Sequence, residues 1–215
     1  MKRFFPVVRS LVTALGLALL CSCVGVRSEI VLNADGTGRL RLEYRVSRQF
    51  EAIGALDGNV GRPSVPLGRV DFERSIGRLE GLKLDSFSSR EEGGDLVTRA
   101  TISFSRLEDI LPLLDSGGRG ATLEREGDRR VLRIHLGGAD SPGEAPDPQL
   151  LVLADQVSQG YDIAFTFSAP GGVELRVTGD SEGLNIGEPG KTTEFSVPLS
   201  RFFRPGKDLE LEFVF

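Results

Sequence analysis

Hydrophobic and polar residues alternate along several short stretches of the chain, a period of two that is typical of β-strands with one buried face. The clearest stretch runs from Leu40 to Val46, where apolar residues alternate with charged ones. A second apolar alternation, Glu29–Leu32, lies before it across Asp35 and Gly36. Because Gly allows the positive φ that tight turns need, these stretches predict a β-hairpin.

The same alternation predicts two further hairpins in the middle of the chain and a group of strands at its end. The middle hairpins pair Leu82–Phe87 with Leu96–Phe104, and Ala121–Arg125 with Val131–Leu136. The later strands are Ile163–Phe167, Val173–Val177, Phe195–Val197 and Leu209–Phe215, joined in part by a turn at Ala169–Gly172 and a loop at Ser181–Lys191.

Apolar residues at helical spacing predict short helices between these strands. The predicted segments are one after Ser47 that runs to Leu56, one from Asp71 to Leu79, one from Ser105 to Leu114, and one from Asp147 to Val157. Ser105 and Glu108 form a capping-box pattern, and Pro112 predicts a short or kinked element. Residues 57–69, rich in Gly and Pro, predict a loop that is either a lid or a plain connector. The predicted fold class is α+β, with antiparallel hairpins forming curved sheets crossed by three or four short helices.

The N-terminus has the pattern of a bacterial lipoprotein signal. A positively charged start is followed by an apolar run, Leu11–Leu20, that is shorter than the ~20 residues a transmembrane helix needs. The run ends in Leu20-Cys21-Ser22-Cys23, which resembles a lipobox. Cys23 fits as the lipidated residue because the small Ser22 precedes it, whereas bulky Leu20 precedes Cys21. The alternative is a plain secretory signal with incidental cysteines.

These features predict the following organisation. Residues 1–22 form the signal peptide, and 23–28 the lipidated cysteine and a short spacer. Residues 29–136 form an N-terminal lobe, 137–148 a linker rich in Gly and Pro, and 149–215 a C-terminal lobe of helix and strand, packed with the first lobe as one domain.

The charge and the cysteine content of the chain limit which partners it is expected to bind. The chain has 26 basic and 31 acidic residues, and the signal removes three of the basic ones, so the mature chain is net acidic. This disfavours nucleic acid and simple electrostatic binding to anionic lipid. If Cys21 leaves with the signal and Cys23 is acylated, the mature chain has no thiol for a disulfide or a metal site.

Candidate catalytic groups are few. The single imidazole, His135, lies on the outward side of its predicted strand, and the acidic clusters lie in turns or on outward faces. Asn33–Gly36 lacks the later ligands of a calcium loop, and no glycine-rich phosphate loop is present. We therefore expect no catalytic residue, no metal and no cofactor, with a hydrolase as a lower-ranked alternative.

The strongest candidate for binding is a pair of adjacent aromatic residues, Phe202 and Phe203, flanked by Arg201 and Arg204. Adjacent side chains on a strand point in opposite directions, so one Phe is a candidate to dip into a lipid surface or cover a ligand. The alternative is that both pack beneath the preceding loop.

Several motifs together resemble the LppM-type bacterial lipoproteins. They are the lipobox, the early hairpin with its Asp-Gly turn, the middle segment Leu123–Leu132, and the later segment Phe165–Val173. The resemblance spans residues 28–215 and departs from the family where Thr193–Phe195 stands in place of a tryptophan-bearing strand. It implies an extracytoplasmic α+β domain with a hydrophobic cavity that binds lipid or glycolipid.

The leading hypothesis is a non-enzymatic envelope lipoprotein, lipid-anchored on the extracytoplasmic side of a membrane, that binds a lipid-like or apolar ligand in a cavity. The alternative is an interaction or assembly module that recruits an envelope protein without a small-molecule ligand. The sequence leaves open whether the membrane is inner or outer.

Overall fold

The computed structural model describes residues 24–47, 69–114, 121–136, 158–203 and 208–215, together with residues 152 and 156. Within them, strand accounts for 63% of residues and helix for 15%, so the domain is predominantly β. The prediction of an α+β fold crossed by three or four short helices is therefore wrong. Apart from the isolated helical residues 152 and 156, the α-helices of the described part are α1, Arg69–Ile76, and the single turn α2, Leu111–Leu114.

The strands form one curled mixed sheet in the order β3-β4-β2-β1-β7-β10-β6-β5, with β9 also on β7 and β8 on β9. All three predicted hairpins, β1–β2, β3–β4 and β5–β6, are confirmed. The strand bounds are β1 Val24–Leu32, β2 Gly38–Ser47, β3 Leu82–Glu92, β4 Asp95–Phe104, β5 Ala121–Glu126, β6 Arg129–Leu136, β7 Asp162–Gly179, β8 Asn185–Ile186, β9 Gly190–Pro198 and β10 Leu209–Val214.

Strand β7 joins two parts of the sheet. Its first part, Asp162–Ser168, lies between β1 and β9, and its pairing with β1 is parallel while every other described strand pair is antiparallel. Its second part, Glu174–Gly179, pairs with β10. We call β3-β4-β2-β1-β7-β9-β8 the first wing and β7-β10-β6-β5 the second wing.

Two predicted boundaries within the strands are corrected. Ala169–Gly172 was expected to be a turn between two strands, but β7 runs through it as one strand of 18 residues. The irregularity appears instead as a register shift against β9 between Ser168 and Val173, with Gly172 at φ 90°. Residues 24–28 are paired with β2 along their length, so they belong to β1 rather than to a spacer.

Helix α1 covers one end of the first wing. Phe72 and Ile76 are its buried residues, and the Phe72 ring lies 5.3 Å from Phe87 and 6.2 Å from Tyr44 between ring centroids. The helix predicted here is confirmed, but it begins at Arg69, so Asp71 lies within it instead of capping it. Burial raises the pKa of the Tyr44 phenol to about 12.

The predicted capping box is displaced by one residue. A 3₁₀ helix, Leu107–Ile110, precedes α2, and the carboxylate that closes it belongs to Asp109, not Glu108. The Asp109 Oδ2 accepts from the Arg106 backbone N–H at 2.9 Å. Asp109 also lies against Gly81, which has φ 79° and whose missing Cβ would lie 2.1 Å from Asp109 Oδ2.

Several predictions lie outside the described residues. These are the helix after Ser47, the loop up to residue 68, the linker 137–148 and the helix before residue 158, except that residues 152 and 156 are helical.

The core lies on one face of the curled sheet and spans both wings. Phe167 of the first wing packs at 5.5 Å from Phe213 and 5.0 Å from Phe215, measured between ring centroids. The backbone of Phe215 is fixed in turn, because it exchanges two hydrogen bonds of 2.8 and 2.9 Å with Arg130.

Candidate functional site

The outer face of the first wing, opposite the core, carries a groove of about 600 Å³. The strand registers place its side chains in two rows that cross the strands. The first row reads Arg99, Glu43, Arg27, Ala164, Ser196 and Asn185, from β4 to β8. The second row reads Thr101, Arg41, Glu29, Thr166 and Glu194, from β4 to β9.

The groove forms because side-chain size changes along these rows. Its floor, over β7 and β9, has small uncharged residues, among them Ala164, Thr166 and Ser196. Long charged side chains on β1, β2 and β4 rise beside that floor. We call this the outer groove. The local pattern of the sequence does not predict the outer groove, because strands far apart in the chain assemble it.

Most charges on the β1, β2 and β4 side of the outer groove are paired. Arg41 donates to both carboxylate oxygens of Glu29, at 2.8 and 3.0 Å. Arg99 donates to Glu43 at 2.6 Å and to Glu92 at 2.6 and 2.9 Å, which joins β2, β4 and β3. Hydrogen bonds from Arg99, and then from Arg90, lower the pKa of Glu92 to about 2.

Three charged side chains of the outer groove differ from these. Arg27 on β1, Asp162 on β7 and Glu194 on β9 make no ion pair or side-chain hydrogen bond with any other residue that the structure describes. Arg27 and Glu194 stand on opposite sides of the small-residue floor. The outer groove therefore offers one cation and two carboxylates to a ligand, across a surface of hydroxyl and methyl groups.

A second groove, of about 610 Å³, lies near the β1–β2 turn and the β5–β6 hairpin. Its lining is also charged, with Arg106, Glu108 and Arg130 among the residues that form it. Arg130 donates to Glu108 at 2.8 Å. The nearby Asp35 is engaged by its own turn, because Thr37 donates to it from both backbone and hydroxyl, and these bonds lower its pKa.

The outer face of the second wing carries an arginine network like that of the first. Arg133 on β6 donates to Glu212 at 2.7 Å, to Glu126 at 2.7 Å, and to Glu124. Hydrogen bonds to Glu212, and then to Glu124, raise the pKa of Arg133. His135 lies on the same outer face, opposite Glu210 of β10, and is partly exposed.

The inner face of the second wing is apolar beyond its fully buried core. Registers place Leu123 beside Leu132, Leu136 beside Leu209, and Leu175 beside Phe213. In each pair the second residue is buried and the first is only partly buried. Val177, beside Leu211, follows the same pattern. We call the partly buried residues Leu123, Leu136, Leu175 and Val177 the inner apolar strip.

The predicted binding pair falls in a 3₁₀ helix, Leu199–Phe203, between β9 and β10. Phe202 is partly buried against the core, and the Phe203 side chain lies outside the described part. Arg201, expected to be a flanking surface cation, is 7% exposed and donates to the backbone carbonyls of Asp180 and Glu182. Arg201 therefore joins the 3₁₀ helix to the 180–184 loop through these two hydrogen bonds.

Across the described ranges, no group of three or more His, Cys, Asp or Glu side chains is placed to hold a metal ion. None of the helices in the described part has the length and apolar character to cross a bilayer. Cys23 lies outside these ranges, and the residue that follows it, Val24, is the first of β1.

The fold defines a class: a predominantly β domain in which one long strand is shared by two wings of a curled sheet. No family model matches the chain, and no curated protein matches it. Among solved structures, the NMR structure of the folded domain of Mycobacterium tuberculosis LppM is similar, with a TM-score of 0.49 and 16% identity, over 90% of this chain and 89% of that one.

Proposed function

We propose that the chain is a bacterial envelope lipoprotein that holds its β domain on the extracytoplasmic side of a membrane through an acylated Cys23. The observation that carries the proposal is the lipobox-type sequence Leu20–Cys23, placed directly before a folded domain that begins at Val24. Two or more acyl chains anchor a protein stably, whereas one holds it only marginally.

The anchor is tested by exchanging the two cysteines separately. The variant Cys23→Ala is expected to lose incorporation of labelled palmitate and to leave the membrane fraction. The matched variant Cys21→Ala is expected to keep both, because Cys21 is removed with the signal. Equal labelling of the two variants, or loss in both, contradicts the assignment of Cys23.

The folded domain is proposed to bind a lipid-like or apolar ligand without catalysis. The inner apolar strip supports this, since partly exposed Leu and Val side chains beside a buried core offer apolar surface to a ligand. The two grooves have charged linings and suit polar groups instead. In the outer groove, Glu29 and Glu43 are each held in an ion pair with an arginine.

Ligand binding is tested by solvent extraction and mass spectrometry of the purified domain, residues 24–215, with a matched pair of variants on β7. Val177→Glu puts a charge on the inner apolar strip and is expected to reduce the copurified lipid and the uptake of an apolar dye. Thr178→Glu puts the same charge on the exposed opposite face and is expected to change neither. No lipid and no dye uptake by the unaltered domain refutes the ligand proposal.

A second candidate function is recruitment of a polar protein partner at the outer groove. The observation that favours it is the pair Arg27 and Glu194, charged residues that face each other across a floor of small side chains without partners in the described part. A photo-crosslinking residue at Thr166, on the floor, is expected to capture a reproducible envelope protein in cells. Capture that is unchanged by Arg27→Glu speaks against this candidate.

A further inference from the structure

We propose that one end of the first wing faces the membrane surface directly, so that the domain stands upright on its anchor. We call it the anchor end and define it by Gly25, Arg45, Asp95, Tyr161 and the β3–β4 turn. The inference rests on the anchor at Cys23 proposed above and adds an orientation to it.

The strand registers fix which residues lie at the anchor end. Val24 of β1 pairs with Val46 of β2, Val46 pairs with Leu96 of β4, and Leu96 pairs with Glu91 of β3. One residue beyond the Val46–Leu96 pair, Ser47 pairs with Asp95, and Asp95 pairs with Glu92. The β3–β4 turn, Gly93-Gly94, therefore projects past Val24, the first residue of β1.

Strand β7 begins, and strand β9 ends, at this same end of the first wing. Val26 pairs with Ile163 of β7, and Ile163 pairs with Val197 of β9. A Cβ on Gly25 would lie 3.4 Å from Cδ1 of Tyr161, which shows how closely β7 begins beside β1. The Tyr161 backbone carbonyl accepts from the N–H of Leu199 at 2.9 Å. Six neighbouring strands therefore share the anchor end, and β1 lies between β2 and β7 among them.

The tether is too short to let the domain turn away. Consecutive Cα atoms lie about 3.8 Å apart, so the acylated residue stands within one such step of a paired strand. A strand rises about 3.3 Å per residue, which puts the β1–β2 turn at Asp35 roughly 30 Å from the start of the nine-residue β1. The β1–β2 turn is therefore the far end of the first wing, and the outer groove begins near the membrane, at Arg27.

The charges at the anchor end suit a polar headgroup layer rather than insertion into hydrocarbon. Asp95 accepts from the Tyr161 hydroxyl at 2.8 Å and lies 3.9 Å from Arg45. Glu92 is held by Arg90 and Arg99. These charged groups pair with one another within the protein, which leaves little net charge to attract anionic lipid. The tether, not charge, holds this end at the surface.

The test measures the distance of three single labels from the headgroups. The full chain is expressed with its own signal, and Glu91→Cys, Gln159→Cys and Ala34→Cys are each labelled with a small fluorophore. The lipidated protein is placed in phosphatidylcholine vesicles that contain a headgroup-linked nitroxide lipid, a short-range quencher. Labels at 91 and 159, at the anchor end, are expected to be quenched severalfold more than the label at 34, at the far end. Equal quenching at all three, or more at 34, overturns the orientation.

A spacer variant separates this inference from the anchor itself. Insertion of about twenty Gly and Ser residues between Cys23 and Val24 gives a flexible tether with a mean span of roughly 25 Å. The variant is expected to float with vesicles as the parent does and to lose the difference between labels. If the parent does not float, the anchor proposal fails. If it floats and the spacer leaves the difference between labels unchanged, the short tether does not set the orientation.

Discussion

Thr193 on β9 tests what an unpaired hydroxyl in the core costs the stability of the domain. Its side chain is 1% exposed, and its hydroxyl has no hydrogen-bond partner within the described structure. It stands opposite Phe167 on β7, in the centre of the apolar core. We expect Thr193→Val to stabilise the domain, because valine has nearly the same shape and no hydroxyl.

The expected gain follows from the cost of an unpaired polar group. A buried hydroxyl without a partner costs about 1–3 kcal/mol. Replacing it by a methyl group removes that cost, so we expect the free energy of unfolding to rise by about 1–2 kcal/mol. For a domain of this size, each kcal/mol raises Tm by roughly 2–4 °C.

Thr98 on β4 is the matched control. It is also fully buried, at 0% exposure, but its hydroxyl lies 3.0 Å from the Ser89 hydroxyl. Thr98→Val breaks that bond, so we expect a loss of about 0.5–1.5 kcal/mol. The two substitutions are chemically identical and should have opposite signs.

Urea unfolding of the domain, residues 24–215, followed by far-UV circular dichroism, measures both variants. The midpoint should rise for Thr193→Val and fall for Thr98→Val, with the slope m unchanged in each. A destabilised Thr193→Val variant would mean that its hydroxyl has a partner in the folded protein and would refute the reasoning.

Three further predictions concern local strain and titration. Gly81→Ala should lower the free energy of unfolding by about 2–4 kcal/mol, because it adds a clash with Asp109 to an unfavourable positive φ. The control Gly94→Ala has a φ of 93° and open space around it, so it should lower the free energy of unfolding by only about 1–2 kcal/mol in the same urea assay. The pKa of Glu92 is lowered from 4.5 to about 2, so its stabilising effect is present above pH 4.5 and is lost as the pH falls toward 2. Glu92→Gln should therefore flatten the dependence of stability on pH between about 4.5 and 2. An unchanged pH dependence would contradict the ion pair. The pKa of Tyr44 is raised from 10 to about 12, so stability should decline between pH 10 and 12, and Tyr44→Phe should remove that decline in thermal melts across this range.

The hairpins could be predicted from the sequence because both partners of each pair lie close together in the chain. The turns at Gly36 and Gly127 have positive φ, as their Asp-Gly and Gly-Asp sequences indicate. The helix content was overestimated because short windows at helical spacing do not decide between helix and connection. In this chain the strands are also longer than their alternation shows, since β7 continues through Ala169–Gly172.

The sites depend on pairings between distant parts of the chain, which a single sequence does not specify. The parallel pairing of β1 with β7 brings Arg27 beside Ala164, and pairing with β9 then brings Ser196 into the same row. The signal of the groove in the sequence is the pair of small outward residues at alternate positions of β7, Ala164 and Thr166. The lipidation of Cys23 could be predicted from the sequence, because a lipobox is a local motif that is recognised without knowledge of the fold.

The most direct test of the central claim is the mass of the N-terminal tryptic peptide from the membrane fraction. Arg27 is the first basic residue after Cys23, so digestion should release Cys23–Arg27 as a short peptide. The account predicts that this peptide carries the added mass of a diacylglyceryl group and that no peptide containing Leu20 is found. An unmodified Cys23, or a mature chain that begins at another residue, would contradict it.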